Sequence, residues 1–265
     1  MHNFNYHRAA DVADASGKLT SLEDPKILAG GMTLLPTLKN RLAAPSDLID
    51  LAAIADLKGV SVEGDEVVVR AMTPHAVVAA SAEVQKALPA LAQLAGNIGD
   101  PAVRHRGTIG GSVANSDPAA DYPAGCVGLD ATIVTNKRKI AADDFFLGLF
   151  ETALEEGEVI TSVRFKIPTR AHYMKFRHPA SGYAVVGVMV AQYGSKARVA
   201  VTGAGPCVFR LSEMEAALEK SFAPSSIANI KVSAEQLMGD IHCSAEYRAH
   251  LITVYARRAV EAMVG

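Results

Sequence analysis

The sequence predicts an α+β fold in three parts, residues 1–56, 57–168 and 169–265, from three patterns along the chain. Short strands alternate with short helices near the N-terminus. Strand runs then surround an alanine-rich helical stretch. Past Pro168 the pattern changes to a β-hairpin followed by two helices. A chain of 265 residues is long enough for two or three subdomains that share an interface.

Taken in order, Lys26-Ile27-Leu28-Ala29 reads as a strand ending at Gly30-Gly31. Leu34 to Leu42 follows at helical spacing, with Leu34, Leu38 and Leu42 on one face, Thr33 as its cap and Pro36 in its first turn. Asp47 to Leu51 is a second short strand. Val67 to Ala71 is a third, after the turn-like Glu63-Gly64-Asp65. Thr73 to Leu94 is helical with a break near Pro89. Ala131 to Thr135 and Val159 to Ile167 are strands, the second closed by Pro168. Ala184 to Gln192 and Ala197 to Gly203 form a hairpin around Tyr193-Gly194-Ser195-Lys196. Leu211 to Lys220 and Ala245 to Val264 are helices. The second carries an apolar stripe of Tyr247, Leu251, Val254, Tyr255 and Ala259 that reads as core packing.

Composition excludes several classes. A formal charge of -2 carries no basic surplus for nucleic acid. No run of eighteen apolar residues predicts a membrane span, and the N-terminus has no signal-peptide pattern, so a cytoplasmic location is expected. Three scattered cysteines, Cys126, Cys207 and Cys243, fit reduced thiols and fall short of the four ligands of an all-cysteine iron–sulfur cluster.

Two glycine-rich bends carry the chemistry. The first is Leu28-Ala29-Gly30-Gly31-Met32-Thr33-Leu34-Leu35, and the second Gly107-Thr108-Ile109-Gly110-Gly111-Ser112. Glycines let the backbone approach a ligand and turn its N–H groups towards one point, which is what a diphosphate requires. The hydroxyls of Thr108 and Ser112 add donors. A strand-to-helix turn also wants glycine for geometry alone, but two such bends, each running into a helix, suggest the halves of one dinucleotide cradle. Valine at Gly110 or Gly111 is then expected to abolish retention of the dinucleotide by filling the phosphate's space. Asp117-Pro118 reads as N-cap and first residue of a helix, which leaves Asp121 either to bind a sugar hydroxyl or to offset the helix dipole. Neither bend is a G-x-G-x-x-G or Walker A sequence. Gly203-Ala204-Gly205-Pro206 reads as a structural turn.

At these residues the chain resembles the FAD-binding medium subunit of the xanthine dehydrogenase and aerobic carbon monoxide dehydrogenase family. The likeness rests on Ala29 to Leu34, Asn97-Ile98-Gly99-Asp100-Pro101, Gly107 through Asp121, Asp144-Phe145-Phe146 and Lys175 to Ala180, in the family's order. It implies the vanillyl-alcohol-oxidase-type (PCMH) fold: two α/β subdomains clasping FAD, then a C-terminal α/β domain. It implies that Leu28 to Leu35 and Thr108 to Ser112 hold the diphosphate and ribityl chain. Ile98 would lie against the cofactor, Asn115 and Asp117 would belong to the same motif, Asp121 would bond a sugar hydroxyl, and Ile160 would line the pocket. The family often has lysine where this chain has Arg177, and Lys175 stands nearby as a substitute.

The resemblance further implies an iron–sulfur small subunit with two 2Fe–2S clusters and a molybdopterin large subunit, in a dimer of heterotrimers. No metal or catalytic residue is expected on this chain. FAD is expected to be non-covalent: His105, with Arg104 and Arg106, reads as solvated surface, and His178 sits in a turn. The expected function is electron transfer from the partner clusters through FAD to NAD+, a quinone or another acceptor. Two other readings are a self-sufficient flavin oxidase or reductase, and an interaction protein whose bends are mere turns.

Overall fold

A computed structural model describes all 265 residues. Three larger sheets follow one another along the chain, and a small two-stranded one, Phe146–Gly148 with Glu151–Thr152, stands apart from them. The first is parallel, in the order Asn5–Arg8, Asp47–Asp50, Pro25–Leu28. Parallel neighbours need crossovers, and the helices Val12–Ser21 and Leu34–Lys39 lie in those connections. Asp11 caps the first helix, its carboxylate accepting from the Asp14 amide at 2.7 Å.

The second crossover helix is shorter than its spacing predicts. It stops at Lys39, Arg41 enters the left-handed region at φ 58, and Leu42 is left 78% exposed. Of the three leucines expected on one face, only Leu38 is buried. Thr33 supplies no side-chain cap, because its backbone is already helical (φ -105, ψ -51) whereas a capping hydroxyl needs an extended residue.

The second sheet is antiparallel, in the order Val60–Glu63, Glu66–Arg70, Ile160–Lys166, Thr132–Thr135, Lys139–Ala141. The alanine-rich stretch breaks twice, giving His75–Ala80, Ala82–Ala87 and Pro89–Gly96. The unforeseen break is at Ser81, which is extended (φ -65, ψ 118) and caps the next helix by accepting from the Val84 amide. Helices Pro101–Arg106, Ile109–Asn115, Tyr122–Gly128 and the short Ala142–Phe145 complete the helices of this part. Asp117-Pro118 does not begin a helix. The Asp117 carboxylate accepts from the Ala119 amide at 2.9 Å and its carbonyl from the Ala120 amide at 3.0 Å, so the chain turns first and the helix starts at Tyr122.

The third sheet runs Arg170–Arg177, Ala184–Tyr193, Lys196–Thr202, Phe209–Arg210, all antiparallel. Both of its faces are covered. Tyr173, Met189, Ala191 and Ala200 join the core of the middle part with Leu91 and Tyr122. Val186, Val188, Val190, Val199 and Val201 pack with Met214, Leu218, Ile252 and Ala256 of the helices Ser212–Lys220 and Ala245–Val264. This double burial explains the unbroken apolar run of the second strand.

The stripe expected on the last helix is displaced. Leu251 and Ala259 are buried as expected, but the face is completed by Ile252, Ala256 and Val260, while Tyr247 is exposed. Arg248 lies on that buried face and donates to the carbonyls of Val185 and Gly203. A charged residue among the core positions is what misdirects the periodicity.

The third sheet also grips the turn before Tyr122. The amides of Ala184 and Gly203 donate to the carbonyls of Ala119 and Pro118 at 3.1 and 2.7 Å. The Thr202 hydroxyl donates to the carbonyls of Pro118 and Ala120 at 2.9 and 2.7 Å. No helix is long and apolar enough to cross a membrane.

Candidate functional site

The two glycine bends lie side by side. A Cβ on Gly30 would stand 2.0 Å from the Arg106 carbonyl oxygen and 2.8 Å from the Gly107 Cα, and one on Gly111 would stand 3.4 Å from the Ala29 Cβ. Between the bends opens a cleft of about 440 Å³.

The bends contribute unequally. In the first, the amides from Gly30 to Leu34 donate to no acceptor within the chain, and Gly31 adopts φ 74. Five successive unpaired N–H groups at a cleft wall suit an anion. In the second bend nearly every amide is already engaged. Ile109 donates to the Thr73 carbonyl (3.2 Å), Gly110 to Ala71 (2.8 Å), Gly111 to the Thr108 hydroxyl oxygen (3.2 Å) and Ser112 to the Thr108 carbonyl (3.0 Å).

This corrects the expectation of two equal rows of donors. The second bend is a helix start capped by Thr108 and docked on the second sheet, so its amides satisfy protein acceptors and only that of Thr108 stays free. The role expected for Gly110 changes too. A Cβ there would lie 2.6 Å from the Ala71 Cβ and 2.8 Å from the Ala71 carbonyl oxygen, so valine would collide with the sheet and not with a ligand.

Most of the residues expected at the site line this cleft: Ala29 to Leu34, Ile98, Gly107, Thr108, Gly110 to Ser112, Asn115, Asp117, Asp121 and Ile160. Leu28, Leu35, Ile109, Lys175 and Arg177 do not. Leu28 and Leu35 pack beneath Gly31, and Ile109 is wholly buried in the core. Lys175 is turned away, donating to an Asp121 carboxylate oxygen at 2.9 Å and the Asn97 carbonyl at 3.1 Å. Arg177 donates to the Gly99 carbonyl at 2.7 Å. These two cations hold the Asn97–Gly99 segment and so position Ile98 at the cleft.

Asp121 reaches the cleft, but both of its oxygens are engaged, by Lys175 and by the Tyr173 hydroxyl at 2.6 Å. Burial pushes its pKa above the usual carboxylate range, against the pull of Lys175.

Sequence reasoning missed Lys26, His75, Glu158, Val159 and the Ser181-Gly182-Tyr183 turn, all of which also line the cleft. None carries a local signal, since each is brought to the cleft by the tertiary fold: Lys26 from a strand of the first sheet, His75 from the start of a helix, Glu158 and Val159 from the approach to a strand, and residues 181–183 from a turn of the third sheet. Glu158 is held by a two-toothed pair with Arg138 (2.9 and 3.0 Å), by the Thr135 hydroxyl (2.9 Å) and by the Glu155 amide (2.7 Å).

The Arg138 bond leads those that lower the Glu158 pKa to about 2, below the ordinary 4.5. The stability it confers is complete above pH 4.5 and disappears as pH falls through about 2. Because Arg138 is partly in solvent, the contribution is about 1–2 kcal/mol. Glu158→Gln is expected to lower the urea midpoint at neutral pH and to shed part of that difference towards pH 3. An unchanged midpoint at neutral pH would contradict this.

The donor set fits a flavin dinucleotide. A row of free amides suits a diphosphate, Ile98, Leu154 and Ile160 offer apolar wall for a ring system, and Ser112 and Asn115 can bond sugar or ribityl hydroxyls.

Known proteins agree with this reading. Residues 2–169 match the family described as FAD binding domain in molybdopterin dehydrogenase. The carbon monoxide dehydrogenase medium chain of Afipia carboxidovorans is 36% identical over 98% of this chain and 96% of its own. The nicotine 6-hydroxylase medium subunit of Paenarthrobacter nicotinovorans is 36% identical over 96% and 95%. Among solved structures, carbon monoxide dehydrogenase from Hydrogenophaga pseudoflava superposes with a TM-score of 0.87 at 35% identity, covering 98% of this chain and 97% of that one. Quinoline 2-oxidoreductase from Pseudomonas putida 86 superposes at 0.88 with 28% identity, covering 98% and 96%. The fold is thus the two-subdomain FAD-binding type with its C-terminal α/β addition, and the chain belongs to the family of FAD-binding medium subunits of the molybdenum hydroxylases.

Proposed function

We propose that this chain is the electron-transfer subunit of a three-component oxidoreductase. It receives electrons from 2Fe–2S clusters on a small partner, which draws them from a molybdopterin-bearing large partner. It delivers them to NAD+, a quinone or another acceptor. The assembly is a dimer of heterotrimers, and the chain divides functionally at residues 56 and 168. Bound FAD supplies reversible electron uptake, and the protein supplies position and environment.

The single observation that carries the reading is the row of unpaired amides in Gly30 to Leu34, residues that line the cleft. The apolar residues Ile98 and Ile160 exclude water from the ring site, and Lys175 and Arg177 fix the Ile98 segment in place. The names of the relatives, medium chains and subunits of dehydrogenases and hydroxylases, support the assignment to a larger assembly.

The test uses the co-purified complex before and after removal of FAD. The FAD-depleted complex should still reduce its iron–sulfur clusters with substrate while losing reduction of the external acceptor, and re-adding FAD should restore it. Substrate turnover by the isolated FAD-loaded chain would instead establish a self-sufficient enzyme.

A further inference from the structure

His75 lines the same cleft and has no role in the function argued so far. It is only 4% exposed, and its Nδ1 meets no hydrogen-bond partner. A buried polar atom left unpaired costs about 1–3 kcal/mol, so its retention calls for an explanation. Its other ring nitrogen sits against the second bend: a Cβ on Gly107 would lie 2.6 Å from Nε2. Gly107 in turn abuts Gly30, so the imidazole, the second bend and the row of free amides are contiguous.

The charge inventory of the cleft gives the position its meaning. Apart from His75, the one cationic side chain lining it is Lys26, which is largely solvated beside Asp24. Asp117, Asp121 and Glu158 bring carboxylates to the same walls. A diphosphate carries two negative charges, and the second bend offers only neutral donors, the Thr108 amide and the hydroxyls of Thr108 and Ser112. His75 is the buried group that can add a positive charge on that side.

We propose that His75 is a ligand of the cofactor's diphosphate, accepting a proton as the anion enters the cleft and remaining charged while it stays. The proposal rests on FAD occupying the cleft as argued above.

In the cofactor-free chain burial lowers the pKa of His75 to about 4, with Arg104 adding to the effect, so the ring is neutral there at physiological pH. The surroundings supply no competing proton. Helix Pro89–Gly96 brings no ionisable side chain. Glu83 and Lys86 on Ala82–Ala87 are exposed, as are His105 and Arg106 beside Arg104. Tyr122, whose ring centre lies 5.3 Å from that of His75, and Cys126 both have pKa values raised by burial and keep their protons. A diphosphate brought next to the ring reverses the balance by stabilising imidazolium.

Calorimetric titration of the full cofactor-free chain with FAD, in buffers of differing ionisation enthalpy, reads the proton count. Native protein should take up close to one proton per FAD at about pH 6, and FAD should bind about 30-fold or more tighter at about pH 5.5 than at about pH 8. His75→Gln, which keeps hydrogen-bonding capacity without a titrating ring, should bind FAD with no uptake and a flat pH profile. Binding without proton uptake in the native chain, or equal uptake in H75Q, overturns the proposal. Failure of the chain to bind FAD at all would instead count against the cofactor reading.

Should H75Q not fold, NMR of ring-labelled histidine in the native chain decides the matter. A charged His75 in the FAD-loaded form near neutral pH supports the proposal, and a neutral ring in that form overturns it.

Discussion

Replacing Gly30 with alanine is expected to weaken FAD binding by about 100-fold or more and to destabilise the chain by about 2–3 kcal/mol, an overpacking cost without room to relax. The added carbon would sit 2.0 Å from a backbone carbonyl oxygen, where no flexible side chain can yield. The two bends would part, and the free amides would lose their facing wall. Gly111→Ala is the control. Its Cβ would meet the Thr108 hydroxyl at 3.1 Å and the Ala29 Cβ at 3.4 Å, contacts that a small shift relieves. Its FAD affinity should fall by no more than about fivefold. Fluorescence titration with FAD and urea unfolding of both variants make the comparison. Native-like binding by G30A would remove the contact between the bends from any role in the cradle.

Lys175→Met is expected to cost about 3 kcal/mol of stability, because it strands Asp121 without its cation. The two side chains are 5% and 3% exposed, so water cannot take the place of the missing partner. Burial drives the pair towards neutrality, raising the Asp121 pKa and lowering that of Lys175, and their mutual bond holds the charges in place. With the lysine gone, the raised aspartate pKa makes the variant more stable as pH falls, since the folded state then binds the extra proton. The double variant Lys175→Met with Asp121→Asn should recover a large part of the loss, because no unpaired charge remains buried. Urea unfolding of the four proteins at two pH values measures this. A double variant no more stable than Lys175→Met alone would show that the penalty comes from packing and not from charge.

Elements built on strong periodicity were legible in the sequence. The last helix runs from Ala245 to Val264 as its spacing predicts, and the hairpin strands lie within a residue of the expected ends. The positions of the two bends were legible as well, because glycine beside a strand or helix end is a local signal. What each bend does with its amides was not. The engagement of the second bend depends on Ala71 and Thr73, more than thirty residues away in the chain. The strand Arg170–Arg177 escaped notice because Tyr173 and Lys175, the residues it turns towards the cofactor half, are polar-tipped and find their partner in Asp121, 52 and 54 residues earlier. An inward-facing lysine interrupts the apolar alternation by which a half-buried strand is recognised, and it is tolerated here because a carboxylate is buried opposite. His75 failed for the same reason in another form, since only the tertiary fold turns it into the cleft.

The grip of the third sheet on Pro118, Ala119 and Ala120 means that the C-terminal hundred residues are no detachable appendage. A fragment ending at Pro168 would lose the acceptor pairing of that turn, the anchor of Asp121 and one covering layer of the middle core at a stroke. The chain should therefore unfold in one cooperative step, resist proteolytic nicking at the junction, and pass between assemblies only as a whole.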